Sequence, residues 1–334
     1  MTKIRILFYN NAHIGDIFFS QPYIKNIVDS NQDTFDYYTY CECNYFILTS
    51  LLPNVKKIKE YPEIYNILQS YNFCPGEQLY HYDRINNILL LNTWWTSFKR
   101  LPSVTIPNIC DLVAYFHFYK LIIDRVNIEY NLSINFRPLR NEYPKSVSQR
   151  LILPEYPKIN IQTFLNYKTI QNNNNKKVVF YYNVLAISGQ PFPVNNHEEH
   201  LHIIKELQRK DIILFLPYKI DIIVNYIFEN KITNIIFADD MFNLTFDEDC
   251  ENIYYYAKIA QHCDTSFYFD TGRCFLYVNN EFIENNNNIH NCKRYHIAND
   301  RYHYDLFNKF YEKPYSDLIG CNNYTNVIHF IRNI

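Results

Sequence analysis

A chain of 334 residues is longer than one ordinary domain, so two domains are the natural expectation. A formal net charge of -2 and the absence of any block of Lys and Arg exclude a surface that tracks a phosphate backbone, which sets nucleic acid aside as a partner. No apolar run approaches the roughly 18 residues that a membrane-spanning helix needs, although peripheral contact with a membrane is compatible with this composition.

The 9 cysteines are scattered, with no CxxC pair, which points to free thiols in a reducing, cytoplasmic compartment. Sequons at Asn131, Asn243 and Asn323 would stay unmodified there. Tyr, Asn, Ile and Lys are plentiful and Gly is scarce, at 5 residues, as AT-rich codon usage would produce. Single aromatics therefore carry little weight.

The opening residues, MTKIRILFYNN, hold an apolar run too short for a secretory signal. They read as a first strand, Lys3–Tyr9. Asp16–Asp29 follows with helical spacing, which puts Ile17, Gln21, Ile24 and Val28 near one face. Strands are expected at Phe35–Tyr40, Val55–Tyr61 and Ile88–Asn92, and a helix at Cys110–Val126. Residues 128–175 hold Pro138, Pro144, Pro154 and Pro157 and end in four asparagines, so they read as a linker.

A second alternating set begins with a strand at Lys177–Tyr182. It continues through a helix at His197–Lys210, a strand at Asp211–Leu216, a helix at Ile220–Asn230 and a strand at Ile232–Phe237. A helix at Cys250–His262 and a strand at Ser266–Phe269 complete it. Strands separated by helices argue for parallel sheets covered on both faces. The predicted fold is α/β, with two Rossmann-like domains in tandem over 1–165 and 166–320 and ligands in the cleft between them. The last stretch, 321–334, has helical spacing over Asn326–Asn333 and is expected to pack back on the first domain.

Three short segments could carry chemistry. Gly15 and Asp16 follow the first strand and open its helix, with Asp16 in the first turn. The glycine allows close backbone approach, and the carboxylate also suits the positive end of a helix with no ligand present. Asp270, Thr271 and Gly272 follow the strand SFYF, where backbone N–H groups and a hydroxyl could hold an anion; a plain N-cap is the simpler alternative. Ser188 and Gly189 follow the first strand of the second set. Three of five glycines thus fall in strand-to-helix connections on the expected ligand side.

Other patterns are weaker. In HEEHLH, His197 and His200 are three apart rather than the four of a zincin, and a polar helix start explains them better than a metal. Trp94-Trp95 reads as core before it reads as a stacking platform. Asp247-Glu248-Asp249 reads as a favourable helix start. The absence of P-loop, GxGxxG and GxSxG patterns argues against nucleoside triphosphatase, dinucleotide and α/β-hydrolase chemistry.

Together the segments are similar to those of the heptosyltransferase-like glycosyltransferases, which have the GT-B fold. IRILFYNNAHIGDIFFSQPYIKNI resembles that family's N-terminal signature: a strand, Gly-Asp, and a proline (Pro22) six residues after the aspartate. Ala257–Phe282 resembles its donor-site signature, in which Asp-Thr-Gly opens a helix. The resemblance implies an inverting, metal-independent transfer from a nucleotide-diphosphate sugar to a glycan, glycolipid or other hydroxyl acceptor.

On this resemblance Asp16 is the general base, with His13 and Gly15 in the acceptor-side loop. Thr271 and Gly272 hold the diphosphate, Asp270 positions that loop or the ribose, and Ser188, Gly189 and Gln190 line the other side. The sequence departs from the family at Phe275, where a histidine is usual, and at Gln190 and Pro191, near an expected lysine. Arg273 restores some positive charge. The rival from another class is a non-catalytic binding or scaffold protein on the same fold.

Overall fold

The computed structural model describes residues 3–10, 14–40, 52–74, 78–93, 111–136, 159–185, 192–243, 252–269, 293–299 and 317–334. Of these, residues 3–136 form one unit and 159–334 a second.

The first unit is built on a sheet of β1 (Arg5–Tyr9), β2 (Asp36–Tyr40), β3 (Val55–Lys57), β4 (Tyr80–Asp83) and β5 (Ile88–Asn92), in the order β3-β2-β1-β5-β4. Leu7 lies opposite Tyr38 on one side and Leu90 on the other, both in parallel register. Only β4 runs antiparallel, at the edge. Strands this apolar need cover on both faces, and ILLLN of β5 is buried throughout.

Helix α2 (Pro62–Gln69) covers one face, with Ile64 and Leu68 against Leu7, Tyr38 and Leu90. Helices α1 (Ile14–Ser30) and α3 (Asp111–Tyr130) pack together elsewhere in the unit, with the Tyr23 and Tyr119 rings stacked at 5.3 Å. The expected strand Val55–Tyr61 stops at Lys57. Ile58–Glu60 forms a 3-10 turn instead, and Pro62 opens α2 one residue further on, at the position where a missing N–H costs least.

Among the described residues the second unit has six parallel strands: β6 (Lys177–Tyr181), β7 (Ile212–Leu216), β8 (Ile235–Phe237), β9 (Thr265–Phe269), β10 (Lys293–Ala298) and β11 (Asp317–Gly320). Their order is β11-β10-β9-β6-β7-β8, the doubly wound arrangement of a Rossmann fold. Helices α5 (His197–Leu207), α6 (Asp221–Glu229) and α9 (Tyr324–Arg332) contribute Leu201, Ile204, Ile223, Val327 and Ile331 to a core with Val179, Leu214, Phe267 and Ile297. From α4 (Gln162–Asn173), Phe164 meets Phe215 of β7 edge-on at 5.2 Å. Helix α8 (Asn252–His262) buries Ile253, Tyr254 and Ala257, and α7 (Ala238–Phe242) is a short turn after β8.

Two expectations need correction. The linker of 128–175 contains α4, a helix that buries Phe164, with Ile161 buried at its N-cap, too little apolar surface to stand out among polar neighbours. Its asparagines end the helix, with Asn175 in the left-handed region at φ 58° and its N–H bonded to the Asn172 carbonyl at 3.0 Å. The division between units lies ahead of α4, so a boundary at 165/166 would cut that helix.

The C-terminal helix also differs from expectation. Val327 and Ile331 of α9 enter the second unit's own core, and Arg332 donates through Nε and Nη2 to the two carboxylate oxygens of Glu206 of α5, at 2.9 and 2.5 Å. The apolar stripe of α9 is thus spent on the domain that precedes it in the chain.

The left-handed positions show what stands in for glycine in this chain. Asp33, Asn87, Asn131, Asn175, Lys231 and Asn243 all have positive φ at turns or helix ends. Asparagine tolerates that region better than other residues with a β-carbon, and here it takes the place glycine usually fills.

Candidate functional site

In each sheet the strand order reverses at the first strand of the unit. Parallel neighbours lie on both sides of it, and the crevice outside their carboxyl ends is where doubly wound sheets bind ligands. In the second unit these strands are β6 and β9, locked by the Tyr182 N–H donating to the Phe267 carbonyl at 2.9 Å. β9 ends at Phe269, directly before Asp270, Thr271, Gly272 and Arg273. β6 leads through Val184 towards Ser188, Gly189 and Gln190. Those seven residues lie outside the described residues, as do His13, Phe275, the Trp94-Trp95 pair and Asp247-Glu248-Asp249.

The described residues that flank the two segments pack on one another. Phe192, after the first, meets Phe269, before the second, with ring centroids 5.3 Å apart. Tyr181 and His200 each approach Phe269 edge-on, at 5.8 and 5.9 Å. The Tyr181 hydroxyl lies 2.7 Å from His200 Nδ1, and His200 Nε2 lies 3.0 Å from the Val184 carbonyl oxygen. A carbonyl only accepts, so Nε2 carries the imidazole proton and Nδ1 accepts from Tyr181. Both side chains are fully buried. Burial holds His200 at about 3, well below the usual histidine range, so it is neutral.

The polar helix start expected of HEEHLH therefore fits exposed His197 but not His200, which faces the core. The Asn196 cap sets this orientation. Its side chain accepts from the Glu199 N–H at 2.9 Å, and Glu199 accepts from the Asn195 N–H at 2.7 Å. Spacing alone could not show which face of α5 is buried.

Further polar groups line the same edge of the sheet. Asn183, fully buried, joins the ends of β6 and β7: its side chain donates to the Tyr218 carbonyl at 2.8 Å and accepts from the Tyr218 N–H at 3.2 Å. After β8, half-buried Asp239 accepts from the Tyr256 hydroxyl at 2.5 Å. Burial raises its carboxyl, against the opposing pull of that bond and of Lys219. Lys219 itself pairs with Asp240. Sequence reasoning missed Asn183 and Asp239 and read His200 as part of a polar helix start. Only the placement of Asn183 and Asp239 at strand ends could have singled those two out.

A concentration of cations lies at the opposite, amino end of the sheet, where it serves the fold. Lys168 donates to the His262 carbonyl at 2.6 Å and pairs with Asp264 at 2.8 Å. Arg294 reaches the Gln261 carbonyl at 3.5 Å, and Ser266 donates to that of Ala260. These groups satisfy the C-terminal carbonyls of α8, where positive charge is favoured.

In the first unit the reversal lies between β1 and β5. Past the strand ends the ladder continues, with the Asn10 N–H on the Tyr40 carbonyl at 2.9 Å and the Thr93 N–H on that of Tyr9 at 2.8 Å. The Thr93 hydroxyl donates to the same Tyr9 carbonyl at 2.9 Å. Helix α1 starts at Ile14, so Gly15 and Asp16 occupy its first turn. The glycine therefore sits inside the helix rather than in a loop ahead of it.

Among the described residues no group of three His, Cys, Asp or Glu is placed to hold a metal, and no helix is long and apolar enough to cross a membrane. Cys74 is an exposed free thiol, and Cys263 and Cys321 are buried.

Compared with protein-family models and with curated proteins, the sequence matches none. Among solved structures it is similar to a glycosyl transferase family 9 protein from Veillonella parvula, at 8% identity and a TM-score of 0.47, over 99% of this chain and 90% of that one. It is also similar to the E. coli heptosyltransferase WaaC with ADP, at 9% identity and a TM-score of 0.43, over 99% and 97% of the two chains. A third is E. coli ADP-heptose lps heptosyltransferase II, at 12% identity and a TM-score of 0.42, over 99% and 98%. Identities of 8 to 12% with TM-scores below 0.5 assign no residue a role.

Proposed function

We propose that this protein transfers a sugar from a nucleotide-diphosphate sugar to an acceptor hydroxyl, with inversion and without a metal, using Asp16 as general base. The observation that carries the reading is topological. Of the two signature segments of the sequence, Gly15-Asp16 lies in the first turn of the helix after β1 and Asp270-Thr271-Gly272 comes directly after β9 in the chain, and each of these strands stands where its sheet reverses order.

A carboxylate with an ordinary pKa of about 4 is ionised at neutral pH and accepts the hydroxyl proton as the new bond forms. The electron pair of that oxygen displaces the nucleoside diphosphate from the anomeric carbon. Backbone N–H groups and the Thr271 hydroxyl stabilise the departing phosphate charge, which is the service a metal gives elsewhere. Ser188, Gly189 and Gln190 supply the facing side, and Arg273 adds positive charge.

The test is a binding screen by calorimetry against UDP-, GDP- and ADP-sugars, followed by transfer assays on a glycan panel with the donor that binds. Asp16→Asn is expected to keep donor affinity and to lose transfer. If no nucleotide sugar binds, the reading fails and a non-catalytic binding protein takes its place. Undiminished turnover in Asp16→Asn would remove the general base.

A further inference from the structure

We propose that His200 is a positioning residue, a strut that fixes the exit of β6 at Val184 and so sets the donor side of the proposed transfer site. The inference rests on the glycosyl-transfer reading for its functional half and on geometry for its structural half. His200 and Tyr181 are fully buried, and their bonds form one chain: Tyr181 hydroxyl to Nδ1, then Nε2–H to the Val184 carbonyl.

Tyr181 is the last residue of β6, and Val184 lies three residues on, beyond the sheet ladder. The strut therefore gives a backbone carbonyl outside regular structure a partner from α5. The segment's far end is gripped separately by Phe192 on Phe269, whose next residue is Asp270. Because Phe269 also touches Tyr181 and His200, the entry to one segment, its exit and the entry to the other share a single buried cluster.

Two features make the strut specific. The Val184 carbonyl admits only one tautomer, and Tyr181 supplies the hydrogen that the tautomer needs at Nδ1. A leucine at position 200 would fill the space and leave the Tyr181 hydroxyl and the Val184 carbonyl without partners, whereas glutamine keeps an N–H donor near the Nε2 position.

The test uses the full chain and the variants His200→Leu, His200→Gln and Tyr181→Phe. Backbone hydrogen exchange and calorimetry with UDP, GDP and ADP are measured well below the melting temperature. In His200→Leu, the amides of Val184 and Leu185 are expected to exchange at least about tenfold faster, while those of β7 and α6 keep their protection. Affinity for the nucleoside diphosphate that binds is expected to fall about tenfold, and His200→Gln is expected to recover most of it.

Faster exchange spread evenly over the second unit, or equal affinity in His200→Leu and the unaltered chain, would overturn the positioning role. If the unaltered chain binds none of the three nucleotides, the glycosyl-transfer reading falls and takes the functional half with it. The local exchange result then judges the strut by itself. Should His200→Leu fail to fold, Tyr181→Phe carries the same comparison, because it removes the hydroxyl and keeps the ring.

Discussion

Acid should destabilise the second unit through His200. Its folded-state pKa of about 3 lies below the ordinary 6.5, so between these values the unfolded chain binds a proton that the folded chain refuses. Unfolding then takes up a proton, and stability falls as pH drops below 6.5 and continues to fall until the folded group titrates. At pH 7 the cost is small. At pH 5 the solution is about 1.5 pH units below the unfolded value, and at about 1.4 kcal/mol per unit the neutral imidazole costs about 2 kcal/mol.

The assay is urea unfolding followed by far-UV circular dichroism at pH 7 and pH 5, on the unaltered chain and on His200→Gln. Tryptophan emission would not serve, because both tryptophans, Trp94 and Trp95, belong to the first half of the chain. His262 titrates in both proteins, held at about 4 by burial and then by the charges of Lys258, Lys168 and Arg294. The comparison between proteins therefore isolates His200. The unaltered chain should lose about 2 kcal/mol more than the variant on going from pH 7 to pH 5. Equal losses would refute the claim that His200 is buried and neutral.

Two further outcomes follow from the backbone. Lys231 has a β-carbon at φ 51°, where glycine is at ease, so Lys231→Gly is expected to stabilise the second unit by about 1 kcal/mol, read as a higher melting temperature. Asn196→Ala removes the cap of the helix that carries His200 and is expected to cost about 1 kcal/mol in urea unfolding. An unchanged midpoint would mean that the Glu199 N–H finds another partner at no cost.

Much of the fold was legible in the chain because strand and helix periods differ. β1, β5, β7 and α5 were expected within a few residues of where they lie, since each is either a continuous apolar run or a clear amphipathic stripe. Elements with little apolar content were not legible. Helix α4 hides in a polar, asparagine-rich stretch because one phenylalanine does most of its docking, and α2 follows its 3-10 turn too closely to separate by pattern. Edge strand β4 and the strands β10 and β11 lacked the alternation that would have marked them.

By itself the sequence determined that the chain alternates strand and helix twice, and that Gly15-Asp16 and Asp270-Thr271-Gly272 each follow a strand. Those facts depend only on local spacing, which every backbone of this periodicity must obey. Only the tertiary structure decided the order of the strands, and with it that these particular strands stand where each sheet reverses. It alone turned His200 inward, and it sent α9 to the core of the second unit, with Arg332 on Glu206. Such choices rest on which apolar faces find one another across long stretches of chain, and no local pattern records them.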